Sequence, residues 1–98
     1  MSKQIYQFGF KNVDENKLRG EAVLDCRIIK NPFVRGIPDA VLIEKVRTNP
    51  LFEQVVKQGV QMLKTNDSIF VGCLFGKHRS GAVAQEIAAR TGAIILRM

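Results

Sequence analysis

Ser68–Arg90 reads SIFVGCLFGKHRSGAVAQEIAAR, and its three consecutive parts decide the fold. Ser68-Ile69-Phe70-Val71 is a short β-branched and aromatic run, the pattern of a buried strand. Gly72–Gly81 is a turn with three glycines (Gly72, Gly76, Gly81) and three side chains able to carry positive charge (Lys77, His78, Arg79). From Ser80 onward Ala82, Val83, Ile87 and Ala88, with Ala84 beside them, recur at helical spacing and make one small apolar face. Strand, glycine-rich turn and helix in that order build an anion site. The first N–H groups of a helix lack partners, its dipole adds about half a positive charge, and glycines let backbone N–H groups curl inward. Cys73–Ser80 also spells C-x-x-G-x-x-R-S, with five residues between Cys73 and Arg79. That spacing lets a loop wrap a tetrahedral oxyanion while Arg79 returns as a two-pronged donor and Cys73 forms the floor.

The remaining composition sets the bounds. A chain of 98 residues with 46% hydrophobic content is sized for one domain, residues 1–98, with one modest core. No apolar run approaches the roughly 20 residues of a membrane span, and Met-Ser-Lys-Gln does not open a signal peptide, so a cytoplasmic protein without a membrane partner is expected. Two cysteines, Cys26 and Cys73, are too few for a disulfide framework, and no Cys/His cluster has metal-site spacing; neither a metal nor a cofactor is expected. The formal net charge of +6 favours anionic partners such as sugar phosphates, nucleotides or nucleic acid. The cations are scattered and form no block, which supports a small anionic ligand more firmly than RNA.

Reading outward from the loop, Lys3–Phe10 alternates as a first strand loosened at Gly9, with Phe8 and Phe10 on one face. Asn12–Gly20 is polar and reads as a loop or a short exposed helical turn. Ala22–Ile29 reads as a second strand, apolar enough to be central in a sheet and stopped by Lys30-Asn31-Pro32. Asp39 is placed to cap a helix through Arg47, with Val41, Leu42 and Val46 inward. Pro50 suits the first turn of a second helix running to Lys64, with Leu51, Val55, Val56, Val60 and Leu63 as its stripe. Arg90-Thr91-Gly92 closes the last helix, and Ala93–Met98 is a final strand. The order β-β-α-α-β-α-β predicts an α/β fold: a small layered sandwich with a mostly parallel sheet and a strand–anion loop–helix unit.

Two chemistries fit the loop. A cysteine-dependent phosphatase would use Cys73 as nucleophile, Arg79 to hold the equatorial oxygens, and Asp25 or Asp39 as proton donor. Gly72 stands where such phosphatases usually carry a His, which tilts the reading toward binding without turnover. Asp25 beside Arg27 also reads as a strand-end ion pair, and His78 as a cap or a pH-tuned donor to phosphate.

Phe8-Gly9-Phe10-Lys11, then Asp25-Cys26-Arg27 with Asn31-Pro32, then Gly72-Cys73 with Gly76-Lys77-His78-Arg79-Ser80, together resemble the C-terminal domain of the RNase adapter protein RapZ family, in a stand-alone, minimal form. The resemblance implies a small α/β domain that senses glucosamine 6-phosphate, self-associates and binds small RNA. By position it makes Arg27, Asn31, Gly76, Lys77, His78, Arg79 and Ser80 the ligand site, to which the loop reading adds Cys73. Leu74-Phe75 departs from the small pair usual before that glycine and puts bulk beside the anion. The expectation is therefore a regulatory, homo-oligomeric domain binding a phosphorylated small molecule, with a phosphatase and an RNA-binding or decoy regulator as the alternatives.

Overall fold

The structure is a computed structural model and describes residues 2–98. Four strands, β1 (Gln4–Gly9), β2 (Val23–Asp25), β3 (Ser68–Cys73) and β4 (Ile94–Arg97), form one sheet in the order β2-β3-β1-β4. Every pairing is parallel, with Ile5 opposite Ile69 and Ile95, and Leu24 opposite Val71. Helices α1 (Asp39–Arg47), α2 (Phe52–Thr65) and α3 (Arg79–Thr91) supply the crossovers that parallel strands require. The α/β class and layered architecture are as expected, and the sheet is parallel throughout.

Alternation along the strands sorts the core. Ile5, Ile69, Val71 and Cys73 point to the helical face, where they pack with Val55, Val56, Val83 and Ile87. The other face carries Tyr6 stacked on Phe70 at 4.9 Å, with Phe8 edge-on to Phe10 at 4.8 Å. Both α-helical crossovers shift the chain the same way across the sheet. The β1–β2 link steps back across β3, and its 3₁₀ turns (Phe10–Asn12 and Glu15–Leu18) bring Phe10 and Leu18 beside Val23 on the opposite face. The uniform right-handedness of parallel crossovers leads to that division.

Three expectations need correction. The second strand spans Val23–Asp25 and not Ala22–Ile29, and it is an edge strand, not a central one. The Asp25 carboxylate accepts the Arg27 N–H at 2.9 Å and turns Cys26–Ile28 into a 3₁₀ helix, so local side-chain bonding overrides the apolar run. Asp39 opens α1 but caps nothing: Pro38 holds the cap position and the Asp39 carboxylate reaches elsewhere. On the same helix Leu42 and Val46 are buried as expected, whereas Val41 is exposed, and Ile43 packs inward in its place.

The stripe of α2 buries Phe52, Val55, Val56 and Leu63. Gly92 ends α3 in the left-handed region with φ 76°, its N–H donating to Ala88 O at 2.8 Å. Glu86 on α3 joins Arg47 of α1 (2.7 Å) and Arg90 (2.9 Å), and Arg90 forks onto Glu53 of α2, so one chain of ion pairs ties the three helices together.

Gly72 is fixed by packing. A Cβ there would meet the Phe8 ring at 2.4 Å, because the ring lies flat against the β3 backbone. Gly72→Ala should therefore destabilise the protein by about 1–3 kcal/mol, the usual cost of overpacking. Combining it with Phe8→Leu should cost less than the sum of the single changes; urea denaturation of the four proteins measures the coupling.

Candidate functional site

The loop after β3 is shaped from behind. Gly76 has φ 73°, and a Cβ on it would strike Gly9 N and Phe8 C at 2.5 Å. The same closeness seen from β1 puts a Gly9 Cβ at 2.6 Å from Phe75 C. Strand β1 and the loop are thus in backbone contact, which only glycine at both positions permits. The Gly76 carbonyl accepts from Gln7 Nε2 at 2.9 Å and from Arg97 Nη2 at 3.1 Å, and Lys11 N–H donates to Leu74 O at 3.0 Å. With those carbonyls tied to β1 and β4, the N–H groups of the loop are left to face inward.

They converge on Cys73. Its sulfur lies 3.3 Å from Ser80 Oγ and 3.4 Å from the Ser80 N–H, in the unsatisfied first turn of α3. Burial opposes ionisation of this thiol; hydrogen bonds from the Ser80 hydroxyl, the Ser80 N–H and the Lys77 and Gly76 N–H groups outweigh it and hold the thiol below its usual range. Cys26 has no such cradle, and burial pushes its thiol far up.

Cys73 is the floor of a pocket of about 430 Å³ at the carboxyl ends of β2 and β3, also lined by Asn31, Phe33, Asp39, Phe75, Lys77, His78 and Arg79. Crevices at this end of parallel strands are where ligands of open α/β sheets collect. Arg79 is 8% exposed, and its Nη1 donates to Ile29 O at 3.1 Å, with Arg27 O at 3.5 Å. Among the described residues nothing accepts from its Nε or Nη2. The Asn31 side chain accepts the Phe33 N–H at 3.1 Å and so sets Phe33 on the wall, where its ring stacks with His78 at 6.5 Å. Phe75 forms the facing wall, with Lys11 Nζ 5.0 Å from its ring centre.

Asp39 reaches the rim, with Oδ1 2.8 Å from His78 Nε2 and Oδ2 3.1 Å from Lys77 Nζ. Those two partners, His78 foremost, hold its carboxyl below the usual carboxylate range.

The chain therefore gathers Asn31, Cys73, Gly76, Lys77, His78, Arg79 and Ser80 of the anticipated site at or around one pocket. Arg27 is not among the lining side chains: its guanidinium forks onto Asp25 at 2.7–3.1 Å, lies 3.8 Å from the Phe10 ring centre, and borders a separate hollow. Asp25 is in that same ion pair, and of the two candidate acids only Asp39 lines the pocket. Phe75 stands beside the pocket as its bulk next to the loop suggests, whereas nothing in the sequence marks Arg97 or Phe33 as site residues. Gln7 did carry a signal, being a polar residue at an inward position of β1 between Ile5 and Gly9.

No protein-family model matches the chain, and no curated protein matches it. Among the described residues, no helix is long and apolar enough to cross a membrane.

The depressed Asp39 carboxyl has a signed consequence. A group whose folded pKa is lowered stabilises the fold above its unfolded pKa and loses that contribution as pH falls through the folded value. Carbon-detected NMR titration should place the Asp39 midpoint below that of an unpaired aspartate. The Asp39→Asn variant should lose the corresponding part of the acid-side decline in stability.

Proposed function

We propose that the pocket binds a small phosphorylated molecule, such as a sugar phosphate, and that the chain is a regulatory, sensing domain. One observation carries this reading: the N–H groups of Gly76, Lys77 and Ser80 converge at the floor of a pocket into which a buried Arg79 brings unshared donors. A phosphate seated there would meet backbone N–H groups at a helix start and a guanidinium fork. Lys77 and His78 would add charge at the rim, and Phe33 and Phe75 offer flat walls to the rest of the ligand. The volume lies in the range of small-molecule sites. Scattered cations favour such a ligand over a nucleic-acid backbone, which is held by many neighbouring phosphate contacts.

A cysteine-dependent phosphatase is favoured by the hydrogen bonds that hold the Cys73 thiol below its usual range. Turnover also needs a proton donor aimed at the leaving group. Asp39 is the acid at the pocket, and its pairing with His78 and Lys77 keeps it ionised at neutral pH. The Phe8 ring occupies the space a His in place of Gly72 would need. Binding is the better-supported role.

Arg79→Ala, checked for folding by circular dichroism, should weaken phosphate-ester binding by about ten- to a hundredfold, since charge-assisted hydrogen bonds are worth roughly 1.5–3 kcal/mol. Unchanged affinity by calorimetry in a folded variant would reject the site. Cys73→Ser should cost a binder little, and the wild type should show no saturable hydrolysis of aryl or sugar phosphates. Turnover that disappears in Cys73→Ser and falls in Asp39→Asn would replace the binding reading with the enzymatic one.

A further inference from the structure

The two cysteines follow paired positions on neighbouring strands, since Asp25 lies opposite Gly72, yet their surroundings differ. Cys26 is 0% exposed and belongs to the apolar core. Cys73, 2% exposed, packs in the same core but also borders the pocket, accepts the Ser80 N–H at 3.4 Å, lies 3.3 Å from Ser80 Oγ, and shares the cavity with Arg79, whose Nε and Nη2 have no acceptor among the described residues. A core sulfur that borders a pocket is separated from an entering oxidant of about the size of water by less packing than one enclosed on all sides.

We infer that Cys73 is an oxidative modification site: hydrogen peroxide entering the pocket converts its thiolate to a sulfenic acid, and the added oxygen occupies the anion cradle and excludes the phosphorylated ligand. The exclusion half rests on the anion-binding reading above; the oxidation half does not. In the step, a sulfur lone pair attacks one peroxide oxygen, the S–O bond forms as the O–O bond breaks, and hydroxide leaves to take a proton from water. The sulfur loses two electrons and the peroxide gains them. The cradle also holds the sulfur in place, because its contacts with the Ser80 hydroxyl and N–H fix it at the floor of the cavity. Thiol reductants would return the sulfenic acid to the thiol and reopen the cradle. Cys26 is the internal reference, a cysteine of the same chain without cradle or pocket.

The test uses the full reduced chain, hydrogen peroxide and a 1,3-dicarbonyl trap for sulfenic acid, with peptide mapping by mass spectrometry. The adduct on Cys73 should form at least about tenfold faster than on Cys26. Saturating inorganic phosphate should slow it, and Ser80→Ala should slow it severalfold. The oxidised chain should lose the phosphate binding that calorimetry measures on the reduced chain. Labelling of Cys73 no faster than Cys26, in a chain that still binds phosphate, would overturn the inference and leave the proposed function standing. Unchanged phosphate affinity after oxidation would overturn the exclusion half. Fast labelling of Cys73 in a reduced chain that binds no phosphate would overturn the exclusion half and the proposed function together, while supporting the oxidation half.

Discussion

The backbone contact between Gly9 of β1 and Gly76 of the loop is the constraint on which the site depends. The loop backbone lies directly against that of β1, where a Cβ on either glycine would strike the other segment's main chain. What that closeness gains is control of peptide orientation: Gln7 and Arg97 take the Gly76 carbonyl from behind, and Lys11 takes that of Leu74. A peptide unit is rigid, so a carbonyl fixed on one side directs neighbouring N–H groups to the other. The ring of N–H groups around Cys73 is thus assembled by the sheet, and α3 supplies only its far edge through Ser80.

The same geometry explains how the Cys73 thiol is held below its usual range without a preceding histidine. Four hydrogen-bonding groups surround one sulfur, and helix α3 begins at it. Together they outweigh burial at Cys73, whereas at Cys26, which borders no pocket, burial drives the thiol in the opposite direction. The Phe8 ring fills the space over Gly72, so aromatic packing on one face of β3 coexists with a polar turn at its end.

At the rim the charges are arranged in opposition. Asp39 engages both Lys77 and His78, which would otherwise be free to meet an anion. In the proposed role an incoming phosphate would compete with Asp39 for them, whereas Arg79, held by Ile29 O, lines the cavity without a carboxylate partner among the described residues. The fixed part of the site is therefore the floor and Arg79, and the adjustable part is the ring of exposed side chains around it.

The sequence by itself determined the class of fold and the existence of the loop. Helical spacing in Phe52–Thr65 and from Ala82 to Ile87, the β-branched run at Ser68, and glycine at positions 76 and 92 are local statements, each enforced by backbone sterics and by which face must be buried. The Cys73–Arg79 spacing is local in the same sense. Tertiary structure decided the rest, because it depends on which distant segments meet. The turn at Asp25–Arg27 ended β2 early and took the Arg27 guanidinium away from the pocket, since a two-residue ion pair was available before any ligand contact. Asp39 left the cap of its own helix for partners 38 and 39 positions along the chain. Gln7 and Arg97, at opposite ends of the sequence, became the anchors of one carbonyl only because β1 lies between β3 and β4. Local patterns carry the identity of a structural element, but strand order sets which polar groups share a site, and that order follows from packing the whole chain.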